Sequence, residues 1–114
     1  MSIIRKDPSA IFNRIVEHNG IVYLAGLTAD DTSQPIKAQT ENVLAKIEAL
    51  LAAAGTDKTK LLTAMIYITD MSLKPAMNEA WTAWTHPEIM STRACVAVGL
   101  DGGADVEIVV TAAK

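Results

Sequence analysis

The sequence predicts an α+β sandwich with two helices packed on one face of a mixed sheet, in the order β-β-α-β-α-β-β. Three observations predict it. β-rich runs flank the turn signal Asn19-Gly20, two later stretches carry apolar residues at three-and-four spacing, and the strand-like segments cluster as neighbours instead of alternating regularly with helices.

Taken in order, Phe12 to His18 and Ile21 to Gly26 read as a hairpin closed by Asn19-Gly20, a pair suited to the positive φ angles of a type I′ turn. The polar stretch Thr28 to Gln34 ends at Pro35, whose missing N–H suits a helix start. Ile36, Val43, Leu44, Ile47, Leu50, Leu51 and Ala54 then form one apolar stripe, and Gly55 stands where a left-handed cap belongs. Leu61 to Thr69 reads as a strand with Ala64, Ile66 and Ile68 on one face and Thr63, Met65, Tyr67 and Thr69 on the other. A second helix fits Leu73 to Trp84, with Asp70 or Ser72 as cap, Pro75 in its first turn, and His86-Pro87 ending it. Arg93 to Leu100 and Asp105 to Thr111 are expected to pair as a hairpin around Asp101-Gly102-Gly103-Ala104. Met65, Tyr67 and Ala97 make the face away from the helices apolar enough to predict a neighbouring subunit as its cover.

Composition narrows the function. With 114 residues, half of them apolar, one domain over residues 1–114 is expected, and with neither a cysteine framework nor a metal cluster to staple it, oligomerisation is the remaining device. The single Cys95 and the lack of an apolar leader in Met1 to Pro8 predict a reducing compartment, the cytoplasm. No run approaches the roughly 20 apolar residues of a membrane span, so a soluble chain is expected. A net charge of −3, no basic cluster and five aromatic residues argue against nucleic acid as a partner. His18 and His86 lack ligand-spaced neighbours, and no nucleotide or metal motif occurs, so no cofactor is expected.

Arg93 draws attention because Ala94, Val96, Val98 and Leu100 read as the core-facing set, which puts Arg93 with Cys95, Ala97 and Gly99 on the opposite face. Its planar fork can serve a structural ion pair or a ligand carboxylate, and parity alone leaves both open. Glu107 shares the Arg93 face if the hairpin register allows; there it could activate water or simply neutralise an arginine. Cys95 lacks the partners of a thiolate nucleophile and reads as a small wall residue, while Gly26 marks either a close approach or a bend. Trp81 and Trp84 read as core or interface anchors.

The segment Ser91-Thr92-Arg93-Ala94-Cys95-Val96-Ala97-Val98, followed by Val106-Glu107-Ile108, resembles the signature of the YjgF/RidA (reactive intermediate deaminase) family. Asn19 to Gly26 resembles that family's second strand, Gln39-Thr40 through Leu50 its first helix, and Met77-Asn78-Glu79-Ala80-Trp81 its second, so nearly the whole chain is covered. The resemblance implies a chorismate-mutase-like homotrimer with clefts between subunits. It also implies cofactor-independent hydrolysis of 2-imino or 2-enamino acids to 2-keto acids and ammonia. On that basis Arg93 holds the substrate carboxylate, Glu107 places or activates water, and Cys95, Asn78, Phe12 and Gly26 line the cleft. The chain departs from the family pattern at Ala25 and Leu27, which flank Gly26 in place of serine and glutamine, at Phe12 in place of tyrosine, at Ser91-Thr92 in place of Pro-Ala, and at Val109 in place of an acid. These losses of polar groups make a non-catalytic trimer that binds keto acids the alternative. Chorismate-mutase chemistry wants several cations around a dicarboxylate, and only one well-placed arginine is found. A nuclease fits poorly with the acidic charge.

Overall fold

The computed structural model describes residues 2–114; Met1, the first residue of the segment read above for a leader, lies outside them. Six strands form one sheet in the order β1-β2-β3-β6-β4-β5. In chain order the elements are β1 (Ile4–Pro8), β2 (Asn13–His18), β3 (Ile21–Leu24), α1 (Ile36–Ala53), β4 (Leu61–Ile68), α2 (Lys74–Trp84), β5 (Thr92–Ala97) and β6 (Val106–Ala113). The sheet is mixed, since β4 runs parallel to β5 and antiparallel to β6. Among the described residues, no helix is long and apolar enough to cross a membrane.

The first hairpin forms as its sequence dictates, with Asn19 and Gly20 at φ 53° and 77°. Helix α1 begins one residue after Pro35, which stands at its N-cap, and buries Ile36, Val43, Leu44, Ile47 and Leu51 against the sheet. Gly55 follows at φ 82°, the left-handed position that favours glycine. Asp70 caps not α2 itself but a short 3-10 turn, Met71–Leu73, by accepting from the Ser72 amide at 2.8 Å. That amide holds its carboxyl below the usual range. Lys74–Trp84 then continues with Pro75 in its first turn, burying Met77, Ala80 and Trp81.

Three expectations are corrected. First, β5 and β6 form no hairpin, because β4 lies between them and bonds to both. The Val98 amide donates to the Ile68 carbonyl on one side, and the Thr69 amide to the Asp105 carbonyl on the other, both within 3.1 Å. The segment 98–105, with Gly102 and Gly103 at positive φ, steps over the end of β4, a crossing of roughly 10 Å for two strand spacings. Second, the face assignment of β5 is inverted. Arg93, Cys95 and Ala97 lie beside Ala64, Ile66 and Ile68, the buried helix-side row, whereas Ala94 and Val96 lie beside Met65 and Tyr67 on the open face. Val96 and Val98 are accordingly 38% and 37% exposed. Both rows of this strand are small or apolar apart from Arg93, so alternation could not tell which one the helices cover. Third, Glu107 does not share the Arg93 face; Ile66 lies between Cys95 and Ile108, which puts Glu107 with Tyr67 on the open side.

One strand was not expected. β1 is exposed along its length and pairs antiparallel with β2 at the sheet edge, its Lys6 and Pro8 being typical of edge strands.

A buried side chain pins the loops at one end of the sheet. Gln39 on α1 donates to the Thr32 and Gln34 carbonyls and to the Asp105 carboxylate, and accepts from the Asp105 amide at 3.0 Å. Gln39→Leu leaves these partly buried groups without their partner and is expected to cost about 1–3 kcal/mol, the range for an unsatisfied group. A lower urea midpoint at unchanged m-value is the measurement.

Candidate functional site

Arg93 lies at the outer edge of the sheet, near the start of β5, where it faces α2. Its Nη1 donates to Asn78 Oδ1 at 2.6 Å, and its guanidinium carbon stands 5.8 Å from the centre of the Trp81 ring, within cation–π range. Asn78 and Trp81 are three residues apart on one helix, so α2 presents both to the same side. One hydrogen bond and one aromatic face thus orient the fork while leaving donors unclaimed. Arg93 is exposed and, among the described residues, forms no ion pair. The structural ion pair left open by sequence is therefore not what this arginine serves within its own chain. A hollow of about 340 Å³ opens beside it, bordered by Asn78, Trp81, Thr82, Met90 and Ser91.

Cys95, two residues on, is half-buried and packs against the core beside Ile66, a wall position below Arg93. These residues make one constellation on the helix side.

A second constellation forms on the open face. Leu27 pairs with Ile108 through two 3.1 Å backbone bonds, which lays Gly26 alongside β6. A Cβ on Gly26 would meet Glu107 Oε2 at 3.0 Å and Val109 Cγ2 at 3.2 Å, so the missing side chain is what admits the Glu107 carboxylate there. Glu107 is half-buried and, among the described residues, has no hydrogen-bond partner or ion pair on its side chain. Another shallow hollow of about 350 Å³ opens beyond it, lined by Thr63, Ala64, Met65, Thr92, Ala94, Val109 and Thr111, with Arg93 at its border.

The Arg93 fork and the Glu107 carboxylate do not meet within one chain, although Arg93 borders both hollows. Arg93 and Glu107 project from opposite faces and from strands two spacings apart, roughly 10 Å. Phe12 is farther away, in the exposed turn before β2, four strands from β5, with the Arg14 guanidinium 5.8 Å from its ring. Of the sequence-predicted residues, Arg93, Asn78 and Cys95 come together, Gly26 and Glu107 come together, and Phe12 stands apart. The sequence alone marks Trp81 as an anchor and assigns Ser91 no role. The spacing of Asn78 and Trp81 was the signal for the first, and none marked the second.

These features define a class: two-layer α+β proteins with an unpaired arginine at the edge of a mixed sheet and two helices on one face. Within it, the model of the family described as Endoribonuclease L-PSP matches residues 4–114, and the chain belongs to that family, also called YjgF/Rid. A RutC family protein of Haemophilus ducreyi is 38% identical over 112 residues, covering 97% of this chain and 96% of that protein. The crystal structure of a YjgF family member from Neisseria meningitidis matches with a TM-score of 0.95 at 35% identity, over 100% of this chain and 96% of that one. Reactive Intermediate Deaminase A of Arabidopsis thaliana, a chloroplast protein, is 24% identical over 116 residues, covering 93% of this chain and 62% of its own length.

Proposed function

We propose that the protein hydrolyses 2-imino and 2-enamino acids to 2-keto acids and ammonia, as a homotrimer whose clefts join the two constellations of neighbouring copies. The observation that carries this reading is the Arg93 fork, oriented by Asn78 and Trp81 and, among the described residues, unmatched by any carboxylate of its own chain. A ligand carboxylate would accept two parallel hydrogen bonds from it. The relative named for reactive-intermediate deamination supports the reaction class.

Clamped by its carboxylate, the substrate presents an imine carbon that is already electrophilic. An enamino acid first becomes the imine by taking a proton at its β-carbon, and with the imine nitrogen protonated, water adds to the carbon as the base takes one of its protons, giving a neutral carbinolamine. The base returns its proton to the nitrogen, the C–N bond breaks as the hydroxyl gives up its proton and a C=O bond forms, and ammonia departs, so one water enters and one ammonia leaves. No redox step and no cofactor is required. Glu107 from the adjoining copy holds the attacking water and takes its proton, with Gly26 making room for that carboxylate. Cys95, Asn78 and Phe12 line the cleft. The remaining catalytic effect is positioning and stabilisation of charge as the carbinolamine forms.

A second reading, a trimer that binds keto acids without turnover, is favoured by one observation: Val109 places a methyl beside Gly26 where the family pattern carries an acid. Ribonuclease activity draws no support from a net charge of −3 without a basic cluster. The test is ammonia release from imines generated in situ from a panel of amino acids. Faster release with at least one of them is expected, and inactivity on every imine alongside keto-acid binding would select the second reading.

A further inference from the structure

The hollow on the helix side of Arg93 is bordered by a group that nothing among the described residues uses. Ser91 borders it, and its hydroxyl is shielded from solvent without a hydrogen-bond partner. Such hydroxyls are uncommon in folded proteins, because stripping water from them without replacement is unfavourable. The other buried polar atom in this position, Trp84 Nε1, belongs to an indole covered by the Lys58 ammonium and does not border this hollow. The walls are the buried Trp81, on which the guanidinium rests, and Met90, an adaptable thioether side chain 53% exposed. Among the described residues Arg93 is the only charged one on the lining, and a substrate carboxylate would engage it. What remains for the rest of the ligand is an apolar wall with neutral polar groups at its rim.

Resting on the reading of Arg93 as a carboxylate clamp, we propose that this hollow receives the substrate's side chain and that Ser91 hydrogen-bonds a neutral hydroxyl or amide at its end. Ser91 is then a specificity-determining residue, and the substrate class is 2-imino acids with a neutral polar side chain. The movement required is a step of the serine χ1 between staggered wells. The volume, about 340 Å³, is at the small end of ligand sites and suits a short side chain.

Three probes separate this from the clamp itself: pyruvate, 2-oxopentanoate, and 4-hydroxy-2-oxobutanoate, which carries a hydroxyl in place of the terminal methyl of the second. Calorimetric titration of the wild-type oligomer is expected to show the hydroxy acid bound about three- to tenfold more tightly than 2-oxopentanoate, the range for one neutral hydrogen bond. Ser91→Ala should bring that ratio to near one with pyruvate affinity unchanged. Its melting temperature should be equal or higher, since the deleted hydroxyl has no partner to lose. A ratio near one in the wild type, or a ratio that survives Ser91→Ala, overturns the proposal while pyruvate binding keeps the clamp. Failure of all three acids to bind overturns both.

Discussion

Replacement of Arg93 by lysine is expected to lower kcat/KM for imine hydrolysis by about 10- to 100-fold. A lysine keeps the charge but cannot make two parallel bonds to one carboxylate, and a charge-assisted hydrogen bond is worth about 1.5–3 kcal/mol. Arg93→Gln removes the charge as well and should cost more. The loss should fall mainly on KM, because the carboxylate held in the ground state is still held as water adds, and kcat should fall only as far as the looser hold misplaces the imine carbon. The fold should survive either change: the side chain is exposed and its contacts are one hydrogen bond and one aromatic face. Steady-state kinetics beside a melting curve separate the two effects. An undiminished kcat/KM in Arg93→Lys would contradict the clamp.

Glu107→Gln is expected to lower kcat by about 10²- to 10⁴-fold, the range for loss of a positioned general base, with keto-acid affinity changed little. Gly26→Ala provides the control through position instead of chemistry. Its new methyl meets the flexible end of Glu107 at 3.0 Å, so the carboxylate swings aside while the backbone stays, and kcat should fall in this variant too. If both variants keep full turnover, Glu107 is a surface carboxylate on the open face and nothing more.

The local parts of this fold were legible in the sequence. Asn19-Gly20 announced its hairpin, the stripe from Ile36 to Leu51 announced α1, and Pro75 marked the first turn of α2. What the sequence concealed was neighbourhood. Strand order is set by which ladders form across the whole chain, and the segment 98–105 looks like a hairpin loop although it carries the chain over β4. β1 escaped notice because Ile-Arg-Lys-Asp-Pro has neither alternation nor β-branched density and is held by pairing to β2 alone. The site suffered from the same blindness. Arg93 was recognisable as an oddity and Asn78 through the family pattern. Which face Arg93 occupies depends on where the helices lie, and the apolar alternation of Ala94, Val96 and Val98 pointed the wrong way because the open face is itself apolar. That apolar face, with Tyr23 46% exposed on it, is the surface that a second copy would cover.

Subunit complementation tests most directly whether one copy supplies the clamp and another the base. Arg93→Gln and Glu107→Gln homomers, each inactive alone, are unfolded together in equal amounts, refolded, and assayed for imine hydrolysis. If every site takes its arginine from one copy and its glutamate from the next, random assembly restores about a quarter of wild-type activity, since half the copies offer each intact group. Mixed oligomers that stay as inactive as their parents, with exchange verified by mass, would place both groups in one chain or neither in the chemistry, and would contradict the account.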